Sequence, residues 1–282
     1  MEIYVLKTYD KKLLNVIGLA NRMRLGSFII IGDVKKINNV CLEEEIMLDE
    51  IEIIDAIDDN EIIKIMNERN NSLEKRIVIN GDMSNYCLKK ALSQNFVNDY
   101  NYINIIDLPY LKHFLFVTNF NQKNSADFNK KKKAIYDATN IMNLLGIKKI
   151  NASLVAYNKN RIEELESNII KMIIDNDKDQ KINLLGSQQM YDLLSPRSVT
   201  GIHNCDINLV ILDNYDATKI FIDTLLVYAN CKIASIFYSD NFYMIDTKSD
   251  NLDKNNMLFT ILIINKLIQR EKSFCDSMQL MV

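Results

Sequence analysis

Residues 242–251 read FYMIDTKSDN, an apolar run that breaks into a hydroxyl, an ammonium and a carboxylate at Thr247, Lys248 and Asp250. A hydroxyl can donate or accept a hydrogen bond, a lysine can hold an anion, and a carboxylate can orient a cation or take up a proton. In α/β folds such a trio at a strand end falls where the chemistry is usually carried. The same residue types also make an ordinary turn that caps the next helix, and position alone leaves both readings open. Ser84-Asn85 raises a similar choice ahead of the helical stretch with Lys89 and Lys90. It could receive a phosphate at a helix start, or it could be a plain cap. The block KKKK at 130–133 is either a solvated helix face or an attractor for a polyanion. Cations near a helix N-terminus are mildly unfavourable, which hints that something compensates them.

Other chemistries find little to draw on. The chain has two histidines, His113 and His203, with no carboxylate at ligand spacing beside either. That argues against a histidine-based zinc site and against a Ser-His-Asp triad, and both histidines read as structural. Gly is scarce, with seven in 282 residues, and neither GxGxxG nor a Walker loop occurs, which disfavours a backbone cradle for a dinucleotide or triphosphate. Five scattered cysteines without a CxxC pair, and an N-terminus charged where a signal peptide needs an apolar core, are expected of a cytoplasmic protein with reduced thiols. A net charge of −3 gives no field for nucleic acid, and no apolar run reaches the length of a membrane span. Glu43, Glu44 and Glu45 read as surface charge.

The elements that must position these residues follow from the hydrophobic pattern. Short β-branched runs at 3–7, 28–31, 51–54 and 76–80 alternate with helical stretches at 10–25, 34–40 and 58–69. Asp33, Asp58 or Asp59, and Ser84 stand where helix caps are needed. This alternation predicts mostly parallel sheet with helices on both faces. The runs at 102–106 and 113–118 are too close for a helical crossover and predict an antiparallel pair. Alternation resumes with helices at 127–145, 160–174 and 215–228, strands at 151–157, 181–186, 207–212, 231–237 and 242–246, and a last helix at 252–270. That helix is expected to bury Met257, Ile261, Leu262, Ile264, Leu267 and Ile268. The break at 107–113 sets two α/β domains, a discontinuous one of 1–112 with 247–282 and a second of 113–246.

Three stretches give this order of segments a likeness. DLPYLKHFLFVTNFNQ at 107–122 and DFNKKKKAIYDATNIMNLLGIKKINASLVAY at 127–157 form the first. CDINLVILDNYDATKIFIDTLLVYANCKIASI at 205–236 is the second, and RLGSFIIIGDVKKI at 24–37 the third. Together they resemble the phosphate acetyl/butyryltransferase family over about residues 3–270, and its butyryltransferase branch in particular. TKSDN at 247–251 falls where that family carries Ser-Arg-Ala-Asp-Ser.

The resemblance implies two α/β/α domains with mostly parallel sheets and a cleft between them, as in the isocitrate/isopropylmalate dehydrogenases. It implies exchange of a short acyl group between coenzyme A and phosphate, by a homodimer or higher homo-oligomer. No cofactor is implied, coenzyme A being substrate and product. Such an exchange needs cations to screen phosphate, donors for the oxyanion, and stabilisation of the departing thiolate. By the resemblance, Lys248 and Lys89 stand where the family has arginines and would screen phosphate. Thr247 stands for a serine and would donate to the sulfur or carbonyl, and Asp250 would orient a lysine or act as base. Ser84 and Asn119 would line the substrate site, Asn119 standing where the family has an aspartate. Both arginines have become lysines, which cannot present a planar bidentate fork. Other site motifs have changed too, the family's "EAGN" reading DATK at 216–219. A relative that binds a CoA-like or phosphorylated ligand, or a protein partner, without turnover is therefore the alternative. A dehydrogenase of related fold ranks last, for want of a glycine loop or a metal-carboxylate cluster.

Overall fold

The computed structural model describes residues 2–69, 75–84, 87–88, 100–120, 128–155, 161–177, 182–194, 207–247 and 253–279. The chain divides into two compact units, Met1–Tyr100 with Ala234–Lys266 and Asn101–Ile233 with Leu267–Val282. Both are α/β, and most strand pairings are parallel.

The first unit begins β1 (Glu2–Leu6), α1 (Lys11–Arg22), β2 (Ser27–Gly32), α2 (Val34–Glu43), β3 (Glu52–Asp55), α3 (Asp59–Glu68) and β4 (Arg76–Asn80). Most of β10 (Lys232–Ser239), all of β11 (Phe242–Asp246) and the first half of α8 (Lys254–Gln279) complete it. Its strand order is β3-β2-β1-β4-β11-β10, parallel except for the β10–β11 hairpin. A strand in the middle of a parallel sheet is covered on both faces, so its sequence is a continuous apolar run and not an alternating one. Val5, Leu6, Ile30, Ile31, Val78 and Ile79 are accordingly all buried. Asp10 accepts from the Lys12 N–H and Asp33 from the Lys36 N–H, fixing the starts of α1 and α2. Of the two candidate caps of α3, Asp58 does the capping, accepting from the Asn60 N–H, which leaves Asp59 for another role.

The second unit runs β5 (Asn101–Asp107), β6 (Leu115–Asn119), α4 (Phe128–Leu144), β7 (Ile150–Val155), α5 (Arg161–Asp175), β8 (Ile182–Gln188), α6 (Met190–Leu194), β9 (Leu209–Leu212) and α7 (Tyr215–Tyr228). Its strand order is β5-β6-β9-β7-β8. The expected antiparallel pair is β5–β6, and the other pairings are parallel. β8 continues two residues past the expected end at Gly186, because a bulge opposite Ala152–Leu154 carries the strand through that glycine at φ +84°.

Two expectations are corrected here. Leu262 of α8 is on the exposed side, and Ile263 takes its place in the core. Three lysines of the block, Lys131, Lys132 and Lys133, form neither a solvated face nor an open polyanion site. Lys131 pairs with Glu166 at 3.0 Å, Lys132 with Asp177 at 2.8 Å and Lys133 with Asp137 at 3.3 Å. Lys131 is itself buried, its ammonium over the rings of Phe120 and Phe128. The compensation that the helix dipole demands comes from the protein's own carboxylates.

Candidate functional site

In the first unit the chain steps outward from β1 to β2 to β3, and β4 then returns to the other side of β1. β1 and β4 are thus neighbours where the strand order reverses, the switch point at whose carboxyl ends open α/β sheets take their ligands. Lys7 and Thr8 follow β1 at this switch point, the turn 81–84 follows β4, and Thr247 follows β11 beside it.

Asn80 organises the β4 end. Its Nδ2 donates to Asp246 Oδ1 at 3.2 Å and its Oδ1 accepts from the Met83 N–H at 3.2 Å. Its backbone carbonyl accepts from Thr247 Oγ1 at 2.7 Å. Asn80 thus ties Thr247 to the turn that leads into Ser84. Ser84 acts as a helix cap: its Oγ accepts from the Cys87 N–H at 3.2 Å.

Lys7 and Asp59 form the ion pair of this edge, Nζ donating to Oδ1 at 2.6 Å with both side chains mostly buried. Burial alone would push the Asp59 carboxyl up. Hydrogen bonds from Lys7, the Cys87 thiol and the Ser84 N–H, with the charge of the ammonium, outweigh it and hold the group below the usual carboxylate value. A depressed folded-state pKa gives stability that is complete above the unfolded value of about 4 and lost as pH falls through the folded one. Asp59→Asn is therefore expected to lower the melting temperature near neutral pH, the gap to wild type closing as the solution is acidified. Melting curves that stay parallel from neutral to strongly acid pH would show that the pair carries no such linkage.

Of the residues singled out in the sequence, Thr247 and Ser84 are brought to the same strand edge through Asn80. Lys89, Lys248 and Asp250 lie outside the described residues. Asn119 ends β6 in the second unit, buried and in register with Leu212 of β9. Its Nδ2 reaches the Phe120 carbonyl at 3.4 Å, and its Oδ1 has no partner among the described residues. His113 contacts the Ile207 carbonyl at 3.2 Å, in keeping with a structural role. Lys7, Thr8, Asp59 and Asn80 were not singled out as site residues from the sequence. Their only signal was position at strand and helix ends, which acquires meaning once the strand order is known.

No protein-family model matches the chain, and no curated protein matches it in sequence. Solved structures do. A branched-chain phosphotransacylase from Enterococcus faecalis matches with a TM-score of 0.72 at 12% identity, over 94% of this chain and 99% of that one. A phosphotransacetylase from Streptococcus pyogenes matches at 0.65 and 10% identity, over 95% and 94%. A 4-hydroxythreonine-4-phosphate dehydrogenase from Burkholderia phymatum matches at 0.54 and 10% identity, over 94% and 98%. The likeness read from residues 24–37, 107–122, 127–157 and 205–236 thus extends in three dimensions through nearly the whole chain, which has the fold of the phosphotransacylases.

Proposed function

We propose that the protein exchanges a short-chain acyl group between coenzyme A and phosphate, yielding acyl phosphate and free coenzyme A. The observation that carries this reading is the full-length fold likeness to phosphotransacylases, with both chains covered almost end to end. The placement of Thr247 at a carboxyl strand edge, beside the β4 exit, supports it.

In this reading a phosphate oxygen attacks the thioester carbon, and the C–S bond breaks as the tetrahedral intermediate collapses. Lys248 and Lys89 screen the incoming anion, and Asp250 orients a lysine or takes the phosphate proton. Ser84 and Asn119 hold substrate polar groups. Thr247 has a single hydroxyl hydrogen, and here it is given to the Asn80 carbonyl at 2.7 Å. To donate to the departing sulfur or to the oxyanion it must give up that bond, the hydrogen turning about the Cβ–Oγ bond. Coenzyme A is substrate and product, and the exchange as written uses no resident cofactor. The assembly proposed with it is a homodimer or larger homo-oligomer. The exposed apolar side chains of Ile220, Val227 and Tyr228 on α7 support that, and light scattering on the eluted protein tests it.

The test is thiol release from acetyl-, butyryl- and valeryl-CoA with and without phosphate. Release that depends on phosphate is expected, whereas release indifferent to phosphate, or none, overturns the exchange. The committed Thr247 hydrogen favours a second reading, a relative that binds a CoA-like ligand without turnover. Stabilisation by coenzyme A in a protein that releases no thiol would establish that reading instead.

A further inference from the structure

We propose that Lys7 and Thr8, at the carboxyl end of β1, form a binding subsite for the phosphate that the reaction consumes, with Asp59 holding the Lys7 ammonium in place. The inference rests on the exchange reading above.

Three observations meet at this point of the fold. Lys7 adopts a left-handed backbone, φ 49°, which a residue with a Cβ avoids unless its surroundings enforce it. Its N–H donates to the Ile31 carbonyl at 2.8 Å and its Nζ to Asp59 at 2.6 Å, so both ends of the residue are fixed. An ammonium has three hydrogens. Asp59 takes one, and among the described residues no other acceptor is bonded to the ammonium, so two can serve the oxygens of an anion.

Thr8 supplies the second observation. Its side chain is fully buried, and its Oγ1 has no hydrogen-bond partner among the described residues. Buried hydroxyls are nearly always satisfied, so an orphan in the residue that follows a fixed lysine is a group to which an anion's oxygen would bring a bond.

The third is Gly81. A Cβ built there would lie 2.7 Å from Thr8 Cβ, so the Thr8 side chain borders the turn leaving β4. Lys7, Thr8 and the turn leaving β4 therefore meet at the switch point, where α/β sheets take their ligands. Asp82 adds a negative charge within reach of Lys7, which opposes an anion and makes the expected binding weak.

Binding of inorganic phosphate to the full chain, followed by calorimetry and by the shift in melting temperature, tests this. Thr8→Val keeps the shape and removes the orphan hydroxyl. It is expected to raise the melting temperature of the free protein and yet to weaken phosphate binding about tenfold, opposite signs that a purely structural threonine would not give. Lys7→Arg should retain binding. Lys7→Met should lose it, and so should Lys7→Met with Asp59→Asn, which removes both charges together and guards against unfolding from a lone buried carboxylate. Coenzyme A binding, measured in parallel, should be unchanged in Thr8→Val; loss of coenzyme A and not of phosphate would assign the subsite to a coenzyme phosphate and overturn the proposal. Phosphate affinity within twofold of wild type in Thr8→Val and in the double variant would also overturn it, as would a wild type that does not bind phosphate. A wild type that binds phosphate through these residues but releases no thiol would leave the subsite standing and defeat the exchange reading alone.

Discussion

Lys248→Ala is expected to abolish phosphate-dependent thiol release, with a loss of at least about a hundredfold, the scale on which removal of one group that stabilises transition-state charge is felt. The attacking phosphate is an anion that must approach a molecule already carrying phosphates, so repulsion grows as the bond forms. A cation beside the reacting centre relieves it most in the transition state, and its loss should therefore fall on kcat as well as on KM. Lys248 directly follows Thr247, whose hydroxyl is anchored to Asn80 at the strand edge. Lys248→Arg is expected to act in the other direction, raising activity or lowering the KM for phosphate, because a guanidinium can grip two oxygens at once. Melting temperatures of both variants should stay near that of wild type. An alanine variant that turns over at the wild-type rate would remove Lys248 from the mechanism.

What the sequence made legible was whatever depends on near neighbours. The apolar runs of β1, β2 and β4 sit in covered strands of a parallel sheet, and runs a few residues apart form the antiparallel pair β5–β6. Caps were legible for the same reason: Asp33 and Ser84 each serve an N–H three residues on. The start of α8 shows the limit of this reasoning. Asp253 caps it, accepting from the Asn256 N–H at 2.8 Å, so Asp250 is not required for that role. The hidden features join residues far apart in the chain. Lys7 meets Asp59 across 52 positions, and Thr247 meets Asn80 across 167. No periodicity encodes such pairs, because they are created by strand order, and strand order is set by the packing of whole crossovers. The lysine block failed for a related reason: two of its three partners, Glu166 and Asp177, belong to α5 and the residues just after it, invisible from 130–133 alone.

The same dependence on strand order makes Gly81 a position where a single methyl group should be costly and where the cost should reach the binding edge. Gly32 and Gly81 are equivalent in the chain, at the exits of β2 and β4, and either could be taken for a simple turn glycine. Their clearances differ. A Cβ at Gly32 would meet its nearest atoms at 3.5 Å, ordinary contact. At Gly81 it would meet Thr8 Cβ at 2.7 Å, the Lys7 carbonyl oxygen at 2.8 Å and Thr8 Cα at 2.8 Å. Two of these three atoms are backbone, and the Gly81 N–H is itself bonded to the Leu6 carbonyl at 2.9 Å, so neither strand exit can step aside alone. Gly81→Ala is expected to destabilise by about 1–3 kcal/mol, as overpacking generally does. Gly32→Ala, at a φ open to any residue, should be neutral or stabilising by about 0.4–1 kcal/mol through the unfolded chain. The relief of the clash has a direction: it pushes Lys7 and Thr8 away from the turn at 81–84, and so away from the edge where Asn80 holds Thr247. Gly81→Ala should therefore lose phosphate binding even at temperatures where it remains folded, while Gly32→Ala keeps it. Equal melting temperatures for the two variants would mean that β1 and β4 part freely at their ends, and a switch point that loose could not hold the ammonium and hydroxyl where a phosphate needs them.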